Sequence, residues 1–296
     1  MSNVIQYIID GIALGAVYAL AAVGIALIFG VLRLVNFAYG ELITIAAYVL
    51  AVTSNWWLPL SLLAAVASSV ALAVLTDRIA FKRLREAPPA TTLVATFALS
   101  FGLEAVWRLV FGVNGRSADV LGALNTTAIS GAIDVRWVTI VEVVVGAALL
   151  SAIAIFLRRS TIGLQMRAAA TDIRTARTLG VRADRVILSA FVLSGVLAAV
   201  VAMLLTAGSP LVTPTLGLEV TTFALVGVVV GGMDNLVTAT LGGFVVGFVN
   251  AVLGDALGAD LRVFLSSFTY LAVILVLLLR PGGLFASRGA SGVERV

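Results

Sequence analysis

The sequence contains no cysteine and no histidine, and Lys82 is its only lysine. The first two absences exclude disulfides, thiol nucleophiles, zinc sites with cysteine or histidine ligands, and every catalytic triad built on imidazole. Lys82 does not lie in a G-x-x-x-x-G-K-[ST] loop, so the sequence offers no P-loop for ATP. No basic residue precedes Arg33, which is unlike the basic start of a secretory signal.

Charge is scarce along the whole chain. Charged residues make up 11% of the 296 positions, against about 25% in an ordinary soluble domain. Apolar types reach 61%, where about 45–50% is usual. The 19 basic and 15 acidic side chains are too few to cover a soluble globule of this size. The composition therefore indicates a protein that faces lipid, and argues against a soluble enzyme, a disordered chain or a nucleic-acid-binding protein.

Nine apolar segments follow one another along the chain. Their approximate bounds are 5–30, 39–54, 58–76, 91–112, 137–157, 187–206, 218–233, 238–254 and 263–280. A helix needs about 20 apolar residues to cross a bilayer, which seven of the segments approach and two, 39–54 and 218–233, do not. We therefore predict an all-α polytopic membrane helix bundle with eight or nine transmembrane segments, forming one domain over 1–296.

The basic residues lie unevenly between these segments. If the segments alternate in direction, 15 of the 19 basic residues fall on one side: Arg33, those of 77–90 and 158–186, and those of the tail from Arg280. The other side keeps four: Arg108, Arg116, Arg136 and Arg262. The positive-inside rule makes the first side cytoplasmic. We therefore predict an N-terminus outside, an external loop at 113–136 and a cytoplasmic C-terminus.

Carboxylates within the apolar segments are the first candidate functional residues. They are costly at bilayer depth and usually face a cavity or a partner. Glu104 shares one predicted helix face with Ser100 and Arg108, at spacings of four residues, and can pair with Arg108. That pair could line a solute route, or only neutralise itself within the bundle.

The two short segments carry the other carboxylates. One opens with N-F-A-Y-G-E, from Asn36 to Glu41, and the other opens with P-T-L-G-L-E, ending at Glu219. Interrupted segments at matching places in two halves of a chain often mark a transporter's substrate site. We therefore predict that Asn36, Glu41, Ser100, Glu104 and Glu219 line or support a solute pathway. The alternative is two ordinary short helices, each with an acidic residue near its N-terminus, where the helix dipole favours negative charge.

Loop 158–186 is too apolar for a flexible linker and too charged for a membrane span. Met166, Ala169, Ile173, Ala176 and Leu179 recur at helical spacing. The pattern predicts one amphipathic helix that starts at Gly163 and ends at Gly180, a typical glycine C-cap. Its apolar face could lie in a groove of a partner or on anionic lipid, and its small alanines favour the groove.

Several of these motifs together resemble one family of permeases. The loop motif G-x-x-x-R-A…A-x-x-x-G is similar to the coupling loop of ATP-binding-cassette importer permeases, above all those for branched-chain amino acids. N-F-A-Y-G-E resembles that family's N-F-A-H-G-E, with Tyr39 in place of histidine. The other similar stretches are Gly102-Leu103-Glu104, Gly231-Gly232 with Leu241-Gly242-Gly243, and Arg280-Pro281-Gly282-Gly283-Leu284-Phe285.

The resemblance implies a function and a set of partners. The chain is expected to be the shorter of two permease types in an importer of the bacterial inner membrane. A second, homologous permease, two cytoplasmic ATPases and a periplasmic solute-binding protein are the implied partners, with membrane lipid around them. Gly163, Arg167, Ala168, Ala176 and Gly180 would then couple the permease to an ATPase, and the chain itself would bind no cofactor.

Two other functions stay open from the sequence. Related permeases carry urea or short amides, and the departures at Tyr39 and at Asp234-Asn235 leave the solute open. An ion-coupled secondary transporter could instead use Glu41, Glu104 and Glu219 and would need no ATPase.

Overall fold

The computed structural model describes residues 2–85, 87–129, 134–233, 235–280 and 283–285. Asp234, Pro281, Gly282, Arg288 and Arg295, which the sequence analysis used, lie outside the described residues. The helices are α1 (Ser2–Leu32), α2 (Tyr39–Val52), α3 (Leu58–Thr76), α4 (Lys82–Leu84), α5 (Pro89–Phe111), α6 (Trp137–Arg159), α7 (Thr161–Thr171), α8 (Ile173–Thr178), α9 (Ala183–Gly208), α10 (Leu216–Gly231), α11 (Leu236–Ala256) and α12 (Leu265–Leu279). A π-helical turn, Asp77–Phe81, joins α3 to α4, and 3-10 turns lie at Gly122–Asn125 and Ala259–Phe264.

All nine predicted apolar segments lie on helices, so the all-α polytopic bundle is confirmed. Seven helices of the described part are long and apolar enough to cross a membrane. The other two of the nine apolar segments form α2, with 14 residues, and α10, with 16. At 1.5 Å per residue these two are about 21 and 24 Å long, shorter than a hydrocarbon core of about 30 Å.

Helices α1 and α9 form the centre of the bundle. Their apolar residues are mostly buried, whereas those of α3, α5, α6 and α12 point largely away from the rest of the chain. Leu109 on α5 and Leu278 on α12 are 87% and 77% exposed. A soluble protein would not display so much apolar surface, so the outer helices face lipid or another subunit.

Glycines allow the helices around α1 to approach closely. Gly243 and Gly247 of α11 lie against the backbone of α1, and Gly227 of α10 lies against Gly243. A side chain at any of these positions would come within 3 Å of a neighbouring helix. Such small-residue contacts are the usual way in which helices pack within lipid, where no hydrophobic force drives them together.

Short antiparallel strand pairs lie between the helices. Strand β1 (Arg116–Ser117) pairs with β4 (Leu211–Val212), and β2 (Thr127–Ile129) pairs with β3 (Val135–Arg136). Because β4 ends four residues before α10 begins, its pairing with β1 fixes the point at which the chain turns into that short helix.

Candidate functional site

The two short helices cross at their first turns. There is no room for a Cβ at Gly40 because the carbonyl of Gly217 lies there, and the reverse holds for Gly217 and the carbonyl of Gly40. The backbone N–H of Gly217 donates a hydrogen bond to Oγ1 of Thr44 across the crossing, at 3.1 Å. The first turns of α2 and α10 are therefore in backbone contact.

The crossing is nearly symmetric. A Cβ at Gly40 would also touch Oγ1 of Thr221, just as a Cβ at Gly217 would touch Oγ1 of Thr44. Each helix thus places a glycine and, four residues later, a threonine against the glycine of the other helix. The two first turns therefore lie side by side and run in opposite directions. The surroundings repeat this relation, because α1 packs on α10 and α11 as α9 packs on α2 and α3. The packing of α1 on α10 and α11 thus matches the packing of α9 on α2 and α3, and the crossing lies between these two groups of helices.

Glu41 lies beside the crossing in a fully enclosed position. It is fully buried in the first turn of α2. Oγ of Ser100 donates a hydrogen bond to its Oε1 at 2.9 Å, and Nε1 of Trp107 donates one to its Oε2 at 2.7 Å. Both donors come from α5. Each carboxylate oxygen therefore has a partner, and the pair of bonds ties α5 to the start of α2.

Trp107 was not predicted as a site residue. It lies three residues after Glu104 and seven after Ser100, which puts it on the same helix face. That periodicity was the available signal, but an aromatic residue on an apolar helix gives no sign that its N–H will meet a carboxylate.

Removing the indole N–H tests this network. We expect Trp107→Phe, which keeps most of the ring volume, to lower the free energy of unfolding by about 1–2 kcal/mol, because one oxygen of a buried carboxylate loses its donor. Thermal unfolding of the purified protein in detergent measures the effect. Trp57→Phe is the control, since Trp57 is 77% exposed. An equal change in the two variants would contradict the proposed contribution of this hydrogen bond.

Asn36 and Glu104 flank the Glu41 network. Asn36 is buried, and its Oδ1 accepts a hydrogen bond from the N–H of Ala38 at 3.0 Å, which shapes the turn before α2. Glu104 is buried on α5 and pairs with the half-exposed Arg108, as the spacing predicted. The ion pair therefore reaches from the interior of the chain to its outer surface.

Glu219 lies apart from the other predicted pathway residues. It is exposed on the first turn of α10, whereas Glu41 is enclosed between α2 and α5. The carboxylate is near enough to Tyr18 and Tyr270 to interact with both electrostatically. Tyr18 lies near the middle of α1, and this places Glu219 near the middle of the bundle's height.

An aromatic cluster lies to one side of that carboxylate. Phe223, one turn further along α10, stacks on Tyr270 with ring centroids 5.1 Å apart and meets the edge of Tyr18 at 5.8 Å. Tyr18 and Phe223 are buried, and Tyr270 is partly exposed. The outward side of α10 therefore presents an acidic group beside the partly exposed ring of Tyr270, with Phe223 and Tyr18 packed behind it.

The predicted single helix over 163–180 is wrong, because the segment forms two helices. Helix α7 ends at Thr171, Asp172 is extended, and α8 follows from Ile173. Ser160 caps α7 by accepting a hydrogen bond from the N–H of Gly163 at 2.9 Å. Gly163 is inside the first turn and not at the helix start, and there is no room for a Cβ there because of Leu157.

The C-terminal end of this segment has the predicted glycine cap. Gly180 has φ +86°, its N–H donates to the carbonyl of Arg177, and the N–H of Val181 donates to that of Ala176. The two bonds form a Schellman motif, for which glycine is favoured because it adopts positive φ without strain.

The predicted docking face of the segment turns inward. Met166, Ala169 and Ala176 are buried, and α7 packs on α1, α6 and α9. Leu179, predicted on the same face, is 80% exposed. The break at Asp172 explains the discrepancy, since spacing along one helix does not continue across it. The residues left facing outward include Leu164, Arg167 and Ala168.

A side-chain contact joins this segment to the start of α2. Arg33, which follows α1 and has φ +55°, donates a hydrogen bond from its guanidinium to the carbonyl of Ala170 on α7, at 2.9 Å. Only five residues separate Arg33 from α2. A displacement of α7 can therefore reach the crossing through a short length of chain.

A cavity of about 390 Å³ with charged residues in its walls lies at the opposite end of the bundle from α7. Asp10, Glu142 and Asp255 line it together with Arg136 and Arg262. Both signs of charge meet there, which suits a polar or zwitterionic solute better than an apolar one.

Membrane transporters often contain two short helices of opposite direction that meet within a bundle of long apolar helices. The fold places this multi-pass membrane protein in that class. Residues 7–279 match the family described as the permease component of the branched-chain amino acid transport system. The chain belongs to this family.

Individual relatives are similar in sequence to this chain over nearly its whole length. The chain is 28% identical to the high-affinity branched-chain amino acid transport system permease protein BraD of Pseudomonas aeruginosa, over 99% of this chain and 98% of that protein. It is 28% identical to LivH of Salmonella typhimurium and 27% identical to LivH of Escherichia coli K12, each over 99% of this chain and 97% of the relative.

Two solved structures share the fold. PsaBC from Streptococcus pneumoniae matches with a TM-score of 0.52 and 16% identity, over 91% of this chain and 89% of that chain. A metal-chelate type ABC transporter in an inward-facing conformation matches with a TM-score of 0.52 and 18% identity, over 93% and 87%. Identities this low show a shared fold only.

Proposed function

We propose that this chain is a permease subunit of an ABC importer and forms part of a pathway for branched-chain or related amino acids across the bacterial inner membrane. The observation that carries the proposal is the family match over residues 7–279, combined with the crossing of α2 and α10. A second, homologous permease would enclose the pathway with this one. Two cytoplasmic ATPases would hydrolyse ATP, and a periplasmic protein would deliver the solute. The chain itself would hold no cofactor.

The exposed carboxylate of Glu219 supports a pathway along the outer side of α10. A lipid-facing carboxylate at this depth would cost several kcal/mol, roughly 3 by insertion scales. Among the described residues, no side chain donates a hydrogen bond to it. The remaining possibilities are a partner subunit or a solute route, and a route enclosed between two permeases satisfies both.

The chemistry around Glu219 suits an amino acid. A carboxylate binds an ammonium group, and an aromatic face beside it adds a cation–π contribution. The partly exposed ring of Tyr270, which Phe223 supports from the interior, offers an apolar surface to an aliphatic side chain. Urea and short amides, the second candidate solutes, carry neither a positive charge nor a large apolar group, so this surface favours the amino acid.

Glu219→Gln is expected to reduce amino acid uptake about tenfold or more, because a charged hydrogen bond worth roughly 1.5–3 kcal/mol is lost. Protein abundance and thermal stability are expected to stay at the wild-type level, since the side chain is exposed. Asp119→Asn, which removes an exposed carboxylate outside the helices, is the matched control. Unchanged uptake by Glu219→Gln would remove this residue from the pathway.

The orientation can be tested by cysteine labelling, because the native chain has no cysteine. We expect Trp57→Cys to react with an impermeant maleimide in intact cells and Arg177→Cys to react only after the cells are broken, since both positions are exposed and the positive-inside rule puts 158–186 in the cytoplasm. Labelling of Arg177→Cys in intact cells would overturn the orientation.

Competition identifies the solute class. The chain and its partners are produced in cells that lack their own branched-chain amino acid uptake, and entry of labelled leucine is measured. Excess isoleucine or valine is expected to suppress it, whereas excess urea or acetamide is not. Suppression by the amides alone would assign the chain to amide transport.

A further inference from the structure

A second cavity lies at the end of the bundle that carries α7. It has a volume of about 680 Å³, within the range of ligand sites. Its walls come from the end of α1, the end of α6, one side of α7 and the connection between α10 and α11. Neither the predicted pathway residues nor the crossing of α2 and α10 contributes to it.

The lining combines positive charge with apolar surface. Arg33, Arg158 and Arg167 all line the cavity, and none of its described lining residues is acidic. The accessible apolar part includes the partly exposed Leu157, Met233 and Leu236. Within the described part of the chain, Arg158 and Arg167 make no ion pair with a carboxylate, so their charge is available to a ligand.

Gly30 shows that the apolar part is open. It lines the cavity near the end of α1, and a Cβ built there meets no atom within 4 Å. Elsewhere on α1, glycines lie against neighbouring helices, as Gly24 does against Tyr39. The space beside Gly30 is therefore not filled by this chain.

We infer that this cavity binds an anionic phospholipid, with the phosphate between Arg158 and Arg167 and the start of an acyl chain beside Gly30, against Leu157, Met233 and Leu236. Arginine forms paired hydrogen bonds with phosphate oxygens, and basic pockets between membrane helices on the cytoplasmic side bind anionic headgroups. An amphiphile matches the lining better than a free anion, because an anion alone would leave the apolar wall empty. Since α7 forms one wall, the lipid holds α7 against the ends of α1 and α6.

Lipid binding is measured by native mass spectrometry of the purified full-length permease, titrated with phosphatidylglycerol or phosphatidylethanolamine. Wild-type protein is expected to retain phosphatidylglycerol preferentially. The variant with Arg158→Gln and Arg167→Gln should bind it roughly 20- to 30-fold more weakly, because each arginine near a lipid headgroup contributes a factor of about five. The control carries Arg78→Gln and Arg83→Gln, two exposed basic residues at the same end that do not line the cavity, and should bind within twofold of wild type.

A second variant tests the apolar part of the site. Gly30→Leu keeps every charge, fills the open space and is expected to weaken phosphatidylglycerol binding at least fivefold, with thermal stability unchanged or raised. Inorganic phosphate at 50-fold molar excess over the lipid is expected to displace little of it. Complete displacement by phosphate would assign the site to a free anion and overturn the proposal. Equal lipid binding by the arginine variant and its control would overturn the lipid proposal as well. Loss of ATPase binding in Gly30→Leu with unchanged lipid binding would also overturn it.

Discussion

Gly40→Ala is expected to destabilise the permease by at least about 3 kcal/mol and to reduce solute uptake below a tenth of the wild-type rate. The added methyl group would overlap the backbone carbonyl of Gly217 and press on Thr221. A flexible side chain could move away from such a contact, but a helix backbone cannot, so the two short helices would have to separate. Uptake per folded molecule and thermal unfolding in detergent measure the two effects.

Gly102→Ala is the matched control for that experiment. Gly102 lies within helix α5, and a Cβ there meets nothing within 4 Å. Alanine should be neutral or slightly stabilising at this position, because it favours a helix by up to about 1 kcal/mol over glycine. Equal behaviour of Gly40→Ala and Gly102→Ala would show that the crossing tolerates separation and that transport does not depend on it.

Alanine-to-tryptophan substitution in segment 163–180 is expected to affect ATPase binding at an exposed position and permease stability at a buried one. Ala168 is exposed on α7 and Ala176 is 4% exposed on α8. Ala168→Trp should leave the folded permease intact and weaken ATPase binding tenfold or more, because overpacking a fitted contact costs about 1–3 kcal/mol. Ala176→Trp should instead lower the stability of the permease itself, since the ring has no space among the buried residues.

Two measurements separate these outcomes. Thermal unfolding reports on the permease, and recovery of the ATPase that co-purifies with the tagged wild-type chain from its native membrane reports on docking. Full ATPase recovery and full uptake by Ala168→Trp would show that the outward face of α7 is not the coupling surface. A helix lying on lipid would give that result, because an added tryptophan is tolerated at a membrane interface.

The helices and the Glu104 pair follow from local sequence patterns. Runs of apolar residues located every long helix. The four-residue spacing of Ser100, Glu104 and Arg108 correctly put Ser100 and Glu104 on one helix face and paired Glu104 with Arg108. These features depend on residues within one helix, where period and length are decisive.

The crossing and the orientation of α7 depend on contacts between distant parts of the chain. Gly40 and Gly217 are 177 positions apart, and nothing near either glycine indicates which helix it will touch. The sequence did suggest that both short segments matter, through a glycine and a glutamate at the start of each. The sequence analysis grouped Glu41 with Glu219 because both lie at the start of a short segment. Position along a segment does not show whether a side chain points inward or outward.

The inward turn of α7 has a similar cause. Met166, Ala169 and Ala176 are apolar because they pack on this chain's own helices, and an apolar face looks the same whether its partner is internal or external. The break at Asp172 added to the error, since a helical period assumes one continuous helix.

ATP-driven uptake in proteoliposomes tests the central claim most directly. The permease is purified with its co-purifying subunits and reconstituted with ATP on the ATPase side, and leucine bound to the periplasmic protein is supplied on the other side. Leucine should accumulate against its gradient only with ATP and the binding protein present, and a proton or sodium gradient should have no effect. Accumulation driven by an ion gradient without ATP would contradict the account.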